Sequence, residues 1–236
     1  MTAQTVHSYW ITASGREGFC GSADACFPYW SFTKTVIAIC ALKLVERGRL
    51  DLDTTLKDAP YTLRQLLGHT AGLPDYGQFP AYHADVAAQE TPWTRDKLLD
   101  VALANGMLFA PAQGWSYSNI GYMFVVELIE ATLEMPFRKV IADMVCKPLG
   151  LTSIELAETR EQFQRVHWQA ATGYDPRWVY HGCLIGNAPD AARLLHALMA
   201  GRLLQPATMR EMLDAKYLGG ALPDRPWTEC GYALGL

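Results

Sequence analysis

The pattern of apolar and polar positions divides the chain into an N-terminal strand region, a helical middle and a last strand. Residues 6–13 read as a strand through Val6, Tyr9, Trp10, Ile11 and Thr12, and Gly15, Gly18 and Gly21 behind them predict a short hairpin. From near Ser31 to Glu46 or Arg47 the spacing predicts a helix. Its apolar positions, Phe32, Val36, Ile37, Ile39, Cys40, Leu44 and Val45, cover much of the circumference, so it should be largely buried, with Gly48 as its stop. Leu63 to Leu67 reads as a short helix, followed by the turn-rich His69-Thr-Ala-Gly-Leu-Pro-Asp75. Residues 75–92 read as irregular. Thr94 caps a helix to about Asn105, ended by Gly106. After a loop at Pro111 to Gly114 and the tripeptide Tyr117-Ser-Asn119 comes a long apolar helix, about Ile120 to Leu133. Further helices are predicted over Arg138 to Val145, closed by Pro148-Leu-Gly-Leu151, over Pro189 to Ala200, and over Pro206 to Leu213. Residues 155–180 show no dominant period, and Cys230 to Leu236 read as a strand.

Composition narrows the class. Of 236 residues, half are hydrophobic and 19% are charged, against a usual ~25%. Such a chain buries a large core, which excludes disorder as its main state. The expectation is a single domain over 1–236, with sheet-containing parts at about 1–30 and 225–236 and a mainly helical region at about 31–224. The net charge of −4 argues against nucleic acid, which requires a concentrated basic stripe. The longest clear apolar run, Val36 to Leu42, is far short of the ~20 residues of a spanning helix, so no stable membrane insertion is expected. No export signal is read in Met1-Thr-Ala-Gln-Thr-Val-His7, which makes a cytoplasmic location the expectation, or a periplasmic or secreted one if a leader was removed. Cysteines 20, 26, 40, 146, 183 and 230 form no C-x-x-C pair. Reduced thiols are expected; Cys20 and Cys26 would pair only in an exported protein.

Two short constellations carry chemistry. In Ser31-Phe-Thr-Lys34, residues three apart share a helix face, so the Ser31 hydroxyl and the Lys34 amine can meet. A serine alcohol needs a base to become a nucleophile, and lysine is one only when neutral, a state that burial and the positive end of a helix dipole promote. The bland alternative makes Ser31 an N-cap and Lys34 a surface residue. A lysine in a first helical turn is electrostatically misplaced, and local rules are broken where function requires it. In Tyr117-Ser-Asn119 the phenol can relay protons beside a lysine, and the amide can hold a substrate carbonyl. The alternative is a packed loop tyrosine with Asn119 capping the next helix. Each spacing is weak alone: seven serines and seven lysines give about 0.2 such pairs by chance.

The flanks make the pair specific. Ser31-Phe-Thr-Lys34 with its continuation Leu44-Val-Glu-Arg-Gly-Arg-Leu-Asp-Leu-Asp53 resembles the S-x-x-K region of the serine β-lactamase and penicillin-binding-protein-like superfamily. The likeness is to its class C-like branch of β-lactamases, esterases and D-amino-acid-directed peptidases. Leu66-Leu-Gly-His-Thr-Ala-Gly-Leu73 is similar to that family's L-L-x-H-T-S-G-L stretch, and Pro111-Ala-Gln-Gly-Trp-Ser-Tyr-Ser-Asn119 to its P-x-G-x-x-x-Y-S-N stretch. Lys147-Pro-Leu-Gly-Leu151 and Gly231-Tyr-Ala-Leu-Gly235 also have counterparts, so the resemblance spans about residues 27–236. It implies an α/β fold of the α+β type, β-lactamase/transpeptidase-like, with a helical lobe packed on an antiparallel sheet and the site between them. It implies Ser31 as acylated nucleophile and one oxyanion donor through its N–H, Lys34 and Tyr117 as general base and acid in an open order, and Asn119 as substrate-binding residue. His69 is expected to be structural. His181-Gly182 matches a glycine-rich turn ahead of a helix, with Asp190 near that helix's start, and His181 is left outside the site.

The family's third motif, K-T-G or H-x-G, does not occur after Asn119. The expectation is therefore a truncated chain whose C-terminal strands are missing, ending in an apolar edge strand without a neighbour. Trp30 stands where the family often has a smaller residue.

The function implied is a serine hydrolase working through an acyl-enzyme on Ser31. Its substrates would be small-molecule esters, amides or β-lactams, with esterase or peptidase activity preferred over antibiotic destruction. A catalytically inactive binding protein of the same fold is the alternative. No metal or organic cofactor is implied, since His167, His181 and His196 lack ligand spacing. Oligomeric state stays open.

Overall fold

The computed structural model describes residues 6–221 and 226–236. Residues 1–5, part of the stretch in which no export signal is read, and the boundary expected at 224–225 lie outside the described residues. The chain opens with the predicted hairpin, β1 (Ser8–Ile11) and β2 (Glu17–Cys20), antiparallel with Ser8 opposite Cys20 and Ile11 opposite Glu17. β3 (Cys26–Pro28) leads into a 3-10 turn, Trp30–Phe32, and then α1 (Thr33–Glu46). Every residue of α1 from Thr33 to Leu42 is buried, and Leu44 with them. A helix apolar on nearly all sides can only sit inside, and α1 is the axis around which the others pack.

α2 (Leu63–Leu67) begins at a capping box in which Thr62 and Gln65 satisfy each other's backbone N–H groups. α3 (Pro80–Ala87) and α4 (Arg95–Ala102) follow, then α5 (Asn119–Leu133), which packs on both α1 and α2. α6 (Phe137–Ile141) runs through a π-helical segment, Ala142–Cys146, into α7 (Lys147–Leu149). β4 (Glu155–Ala157), α8 (Arg160–Gln164), β5 (Cys183–Asn187), α9 (Ala188–Met199), α10 (Pro206–Leu213), β6 (Lys216–Gly220) and β7 (Glu229–Tyr232) complete the order.

Among the described residues the strands form three antiparallel sheets, β1-β2, β3-β5-β4 and β6-β7. β5 is the central strand that fixes the approach to α1. Its Leu184 carbonyl accepts from Tyr29 N at 2.7 Å, and its Leu184 N–H donates to Thr33 Oγ1 at 3.0 Å. The Tyr29 phenol crosses the strand to donate to Asn187 O at 2.7 Å. Gly186 makes that crossing possible, because a Cβ there would lie 2.5 Å from the Tyr29 hydroxyl. Arg193 of α9 binds the hairpin through Tyr9 and Glu17, each at 2.9 Å.

Several expectations are corrected. Residues 75–92 are not irregular: they hold a 3-10 turn, Tyr76–Gln78, and α3, which buries only Tyr82 and so carries almost no periodic signal. α4 stops at Ala102, short of Asn105. The region expected to be mainly helical contains β4, β5 and β6. The last strand ends at Tyr232, and it has a neighbour, β6, paired from Lys216 opposite Tyr232 to Gly220 opposite Glu229. The cysteines, by contrast, are as expected: all six are free thiols, Cys20 and Cys26 included.

Candidate active site

Ser31 lies on the 3-10 turn ahead of α1 rather than in the α-helix itself. The residue before it, Trp30, is held at φ +43°, a left-handed conformation costly for a bulky side chain. That bend is tied down on both sides by the Tyr29 contacts to β5 and by Phe32 N donating to Tyr29 O at 2.9 Å. It leaves Ser31 exposed at the surface of a pocket while Lys34, one turn on, is 1% exposed.

The Ser31 hydroxyl is 2.7 Å from the Tyr117 hydroxyl. The Lys34 amine donates to Asn119 Oδ1 at 2.6 Å and lies 3.1 Å from His181 Nε2. It also sits over the rings of Tyr117 and Tyr122, 4.9 and 5.6 Å from their centroids. The four residues singled out by sequence thus come together, with one difference. Lys34 reaches Asn119 and His181, and among the described residues it makes no direct hydrogen bond to Ser31. His181, left outside the site by sequence reasoning, is in it.

The partners of Tyr117 and Asn119 explain their placement. Ser118, not Asn119, caps α5: its Oγ accepts from Gly121 N at 3.2 Å and donates to Pro74 O at 2.8 Å. Asn119 is therefore the first residue of the helix, free to turn its amide toward Lys34. Its backbone N–H donates to Asp75 Oδ1 at 2.9 Å, so a buried carboxylate sits at the positive end of α5. Beneath Tyr117, His69 packs its ring at 4.4 Å and accepts from Ser118 N through Nδ1 at 3.1 Å. His69 is a buried, hydrogen-bonded loop residue, and its Nε2 has no hydrogen-bond partner among the described residues.

Burial dominates the electrostatics. It lowers the Lys34 amine from 10.5 to about 7, against the pull of Asp75, which favours the charged form. Burial holds His69 neutral, down to about 3, and keeps His181 well below its ordinary value, with the Lys34 charge acting in the same direction on both. The Tyr117 phenol is raised by burial, although its bond to Ser31 opposes this. Asp75 is raised by burial against the opposing bond from Asn119. Near neutral pH the site therefore holds a lysine poised between its two forms beside an un-ionised phenol.

The pocket at Ser31 has a volume of ≈ 170 Å³ and is walled by Trp30, Tyr76, Tyr82 and Tyr174, with Asn119 and His181 contributing polar groups. This is below the ~300 Å³ at which drug-sized pockets begin, so it suits a small group. Trp30, the residue bulkier than expected, forms part of that wall. Among the described residues no cluster of His, Cys, Asp or Glu has the arrangement of a metal site.

Comparison with known proteins identifies relatives of this fold. Penicillin-binding protein 4* of Bacillus subtilis is 29% identical over 162 residues, which are 64% of this chain and 35% of that protein. The chain thus spans about a third of the length of that curated relative. Among solved structures, a D-stereospecific amidohydrolase from Streptomyces sp. superposes with a TM-score of 0.81 at 26% identity, over 97% of this chain and 76% of the other. The D-amino acid amidase of Ochrobactrum anthropi SV3 gives 0.79 at 23% identity, over 97% and 75%. The fold is the α/β arrangement of the β-lactamase/transpeptidase type. The Beta-lactamase family model matches residues 4–236, and the chain belongs to that family.

Proposed function

We propose that this protein is a serine hydrolase that cleaves small esters or amides through an acyl-enzyme on Ser31. The observation that carries this reading is the 2.7 Å contact of the Ser31 and Tyr117 hydroxyls beside a buried lysine lowered to about 7. The Ser31 oxygen attacks the substrate carbonyl carbon, and its proton leaves along the contact to Tyr117. As the un-ionised phenol accepts the Ser31 proton it gives its own to the neutral amine of Lys34, which is the base that stores it. The proton then goes to the departing alcohol or amine as the C–O or C–N bond breaks. Water attacks the acyl-enzyme by the same route in reverse, which releases the acid and restores Ser31. Backbone N–H groups at the start of α1, that of Ser31 first, would hold the developing oxyanion. Asn119 holds Lys34 and offers its NH₂ group to the substrate.

The pocket size supports a small acyl group, and its aromatic walls favour an apolar one. The Streptomyces relative is named for D-stereospecific amide cleavage, and the Bacillus relative for penicillin binding. D-amino-acid amides and esters are therefore the first substrates to try, with a penicillin beside them.

The test is intact mass after exposure to a reactive ester, a D-amino-acid amide and a penicillin, with Ser31→Ala alongside. A covalent gain that disappears in the variant is expected, fastest with the ester. A folded wild-type protein that gains no mass from any of the three would sink the reading and leave a binding protein of this fold. With kcat/KM as readout, the rate should rise as pH climbs through about 7, where Lys34 loses its proton.

A further inference from the structure

Among the described residues the Lys34 amine has two hydrogen-bond partners, both far away in sequence. Asn119 Oδ1 is the acceptor that the Tyr117-Ser-Asn119 motif supplies. The second partner, His181, belongs to no motif that the proposed chemistry uses. It is 3% exposed, and Gly182 at φ +85° turns the chain behind it into β5. His181 Nδ1 is buried and has no hydrogen-bond partner among the described residues. An apolar side chain would fill this place without stranding a polar atom. What the imidazole adds over such a side chain is its one polar contact, Nε2 to the Lys34 amine at 3.1 Å. The ring is held neutral by burial and by the nearby Lys34 charge, so it keeps a lone pair with which to accept.

We propose that His181 is a positioning residue for Lys34: its Nε2 accepts one N–H of the amine while Asn119 Oδ1 accepts another, which leaves the last tetrahedral position of Nζ for the Ser31–Tyr117 pair. The proposal rests on the reading of Ser31 and Lys34 as reacting groups. A neutral amine has two N–H bonds and one lone pair. With Asn119 alone, the lone pair turns freely about a single held N–H. With both acceptors engaged, it has one direction left. The same contact gives the ammonium form an acceptor inside an apolar enclosure, so it holds the proton affinity of Lys34 up against burial. The other titratable groups facing the amine are Asp75 and Cys183, which favour its charged form, His69, and the phenols of Tyr117 and Tyr122.

The experiment compares wild type with His181→Leu, which removes the acceptor and keeps the pocket dry, and with His181→Gln, which returns an oxygen near Nε2. Carbon-13 NMR on lysine-labelled protein follows the Cε signal of Lys34 through pH, assigned by its loss in Lys34→Arg, and needs no substrate. The midpoint is expected to fall by about one pH unit in His181→Leu and to return close to wild type in His181→Gln. Labelling of Ser31 by a reactive ester should slow about 30-fold in His181→Leu, with apparent binding changed less than about threefold, and largely recover in His181→Gln. A folded His181→Leu with an unmoved midpoint overturns the proposal. So does an upward movement, which would mean that the ring donates to the lone pair instead. Should His181→Leu not fold, His181→Asn replaces it: its shorter amide stops short of Lys34 and should behave as a loss, and a wild-type midpoint there overturns the proposal. A wild type that is never labelled but whose Lys34 midpoint still depends on His181 refutes the hydrolase reading and keeps the His181 contact.

Discussion

Lys34 is an amine in a place that disfavours charge, and this has a cost that can be measured away from activity. Its ordinary value of 10.5 applies in the unfolded chain, and about 7 applies in the fold. Between those two values the unfolded chain binds a proton that the folded one does not, so stability rises with pH across that window. From pH 7.5 to 9 the gain in unfolding free energy should be about 2 kcal/mol larger for wild type than for Lys34→Met. Urea titrations of both proteins at the two pH values check this, and parallel behaviour would refute it. At this scale the sequence was partly legible. Ser31, Lys34, Tyr117 and Asn119 were singled out because a lysine at a helix start breaks a local rule and because the stretches flanking both motifs resemble those of a known family. Asp75 and His181 did not, because their roles exist only through partners 44 and 147 residues away. A buried histidine with apolar neighbours in sequence has no local mark that separates it from a core residue.

Between elements, one tight fit is where the chain near Gly235 crosses α1. Gly235 adopts φ +86°, and its carbonyl accepts from Thr35 Oγ1 at 2.7 Å. A Cβ at that position would lie 2.6 Å from the Ala38 Cβ and 3.2 Å from the Lys34 carbonyl oxygen. Neither neighbour can swing aside, since both belong to the buried first turns of α1. Gly235→Ala should therefore cost about 2–3 kcal/mol from combined overpacking and backbone strain, read from the denaturant midpoint. A loss below about 0.5 kcal/mol would show that the crossing is loose. The helices that bury several side chains in the core, α1, α2, α5 and α9, were legible from spacing. α3 was not, because it buries a single side chain. β5 was missed for the opposite reason: four of its five residues are buried, so it shows no alternation, and a run that short is equally compatible with a helix.

At the level of the whole molecule, the order of strand region, helices and last strand was legible, but the pairing of strands was not. β3 joins β5 with Phe27 opposite Gly186, and nothing local in either segment announces the other. The site is assembled the same way. Ser31 meets Tyr117 across 86 residues of chain, Lys34 meets His181 across 147, and Thr35 meets Gly235 across 200. Contacts that close long loops form slowly, because chain entropy must be surrendered before they contribute anything. Helices such as α1 and α5 close only local contacts. In refolding from denaturant, far-UV circular dichroism should recover ahead of the capacity of Ser31 to be labelled by an ester, and simultaneous recovery would refute this ordering. A newly made copy of this chain would then pass through a period in which it is already helical and still chemically silent, its serine an ordinary alcohol until Tyr117 arrives from 86 residues further along the chain.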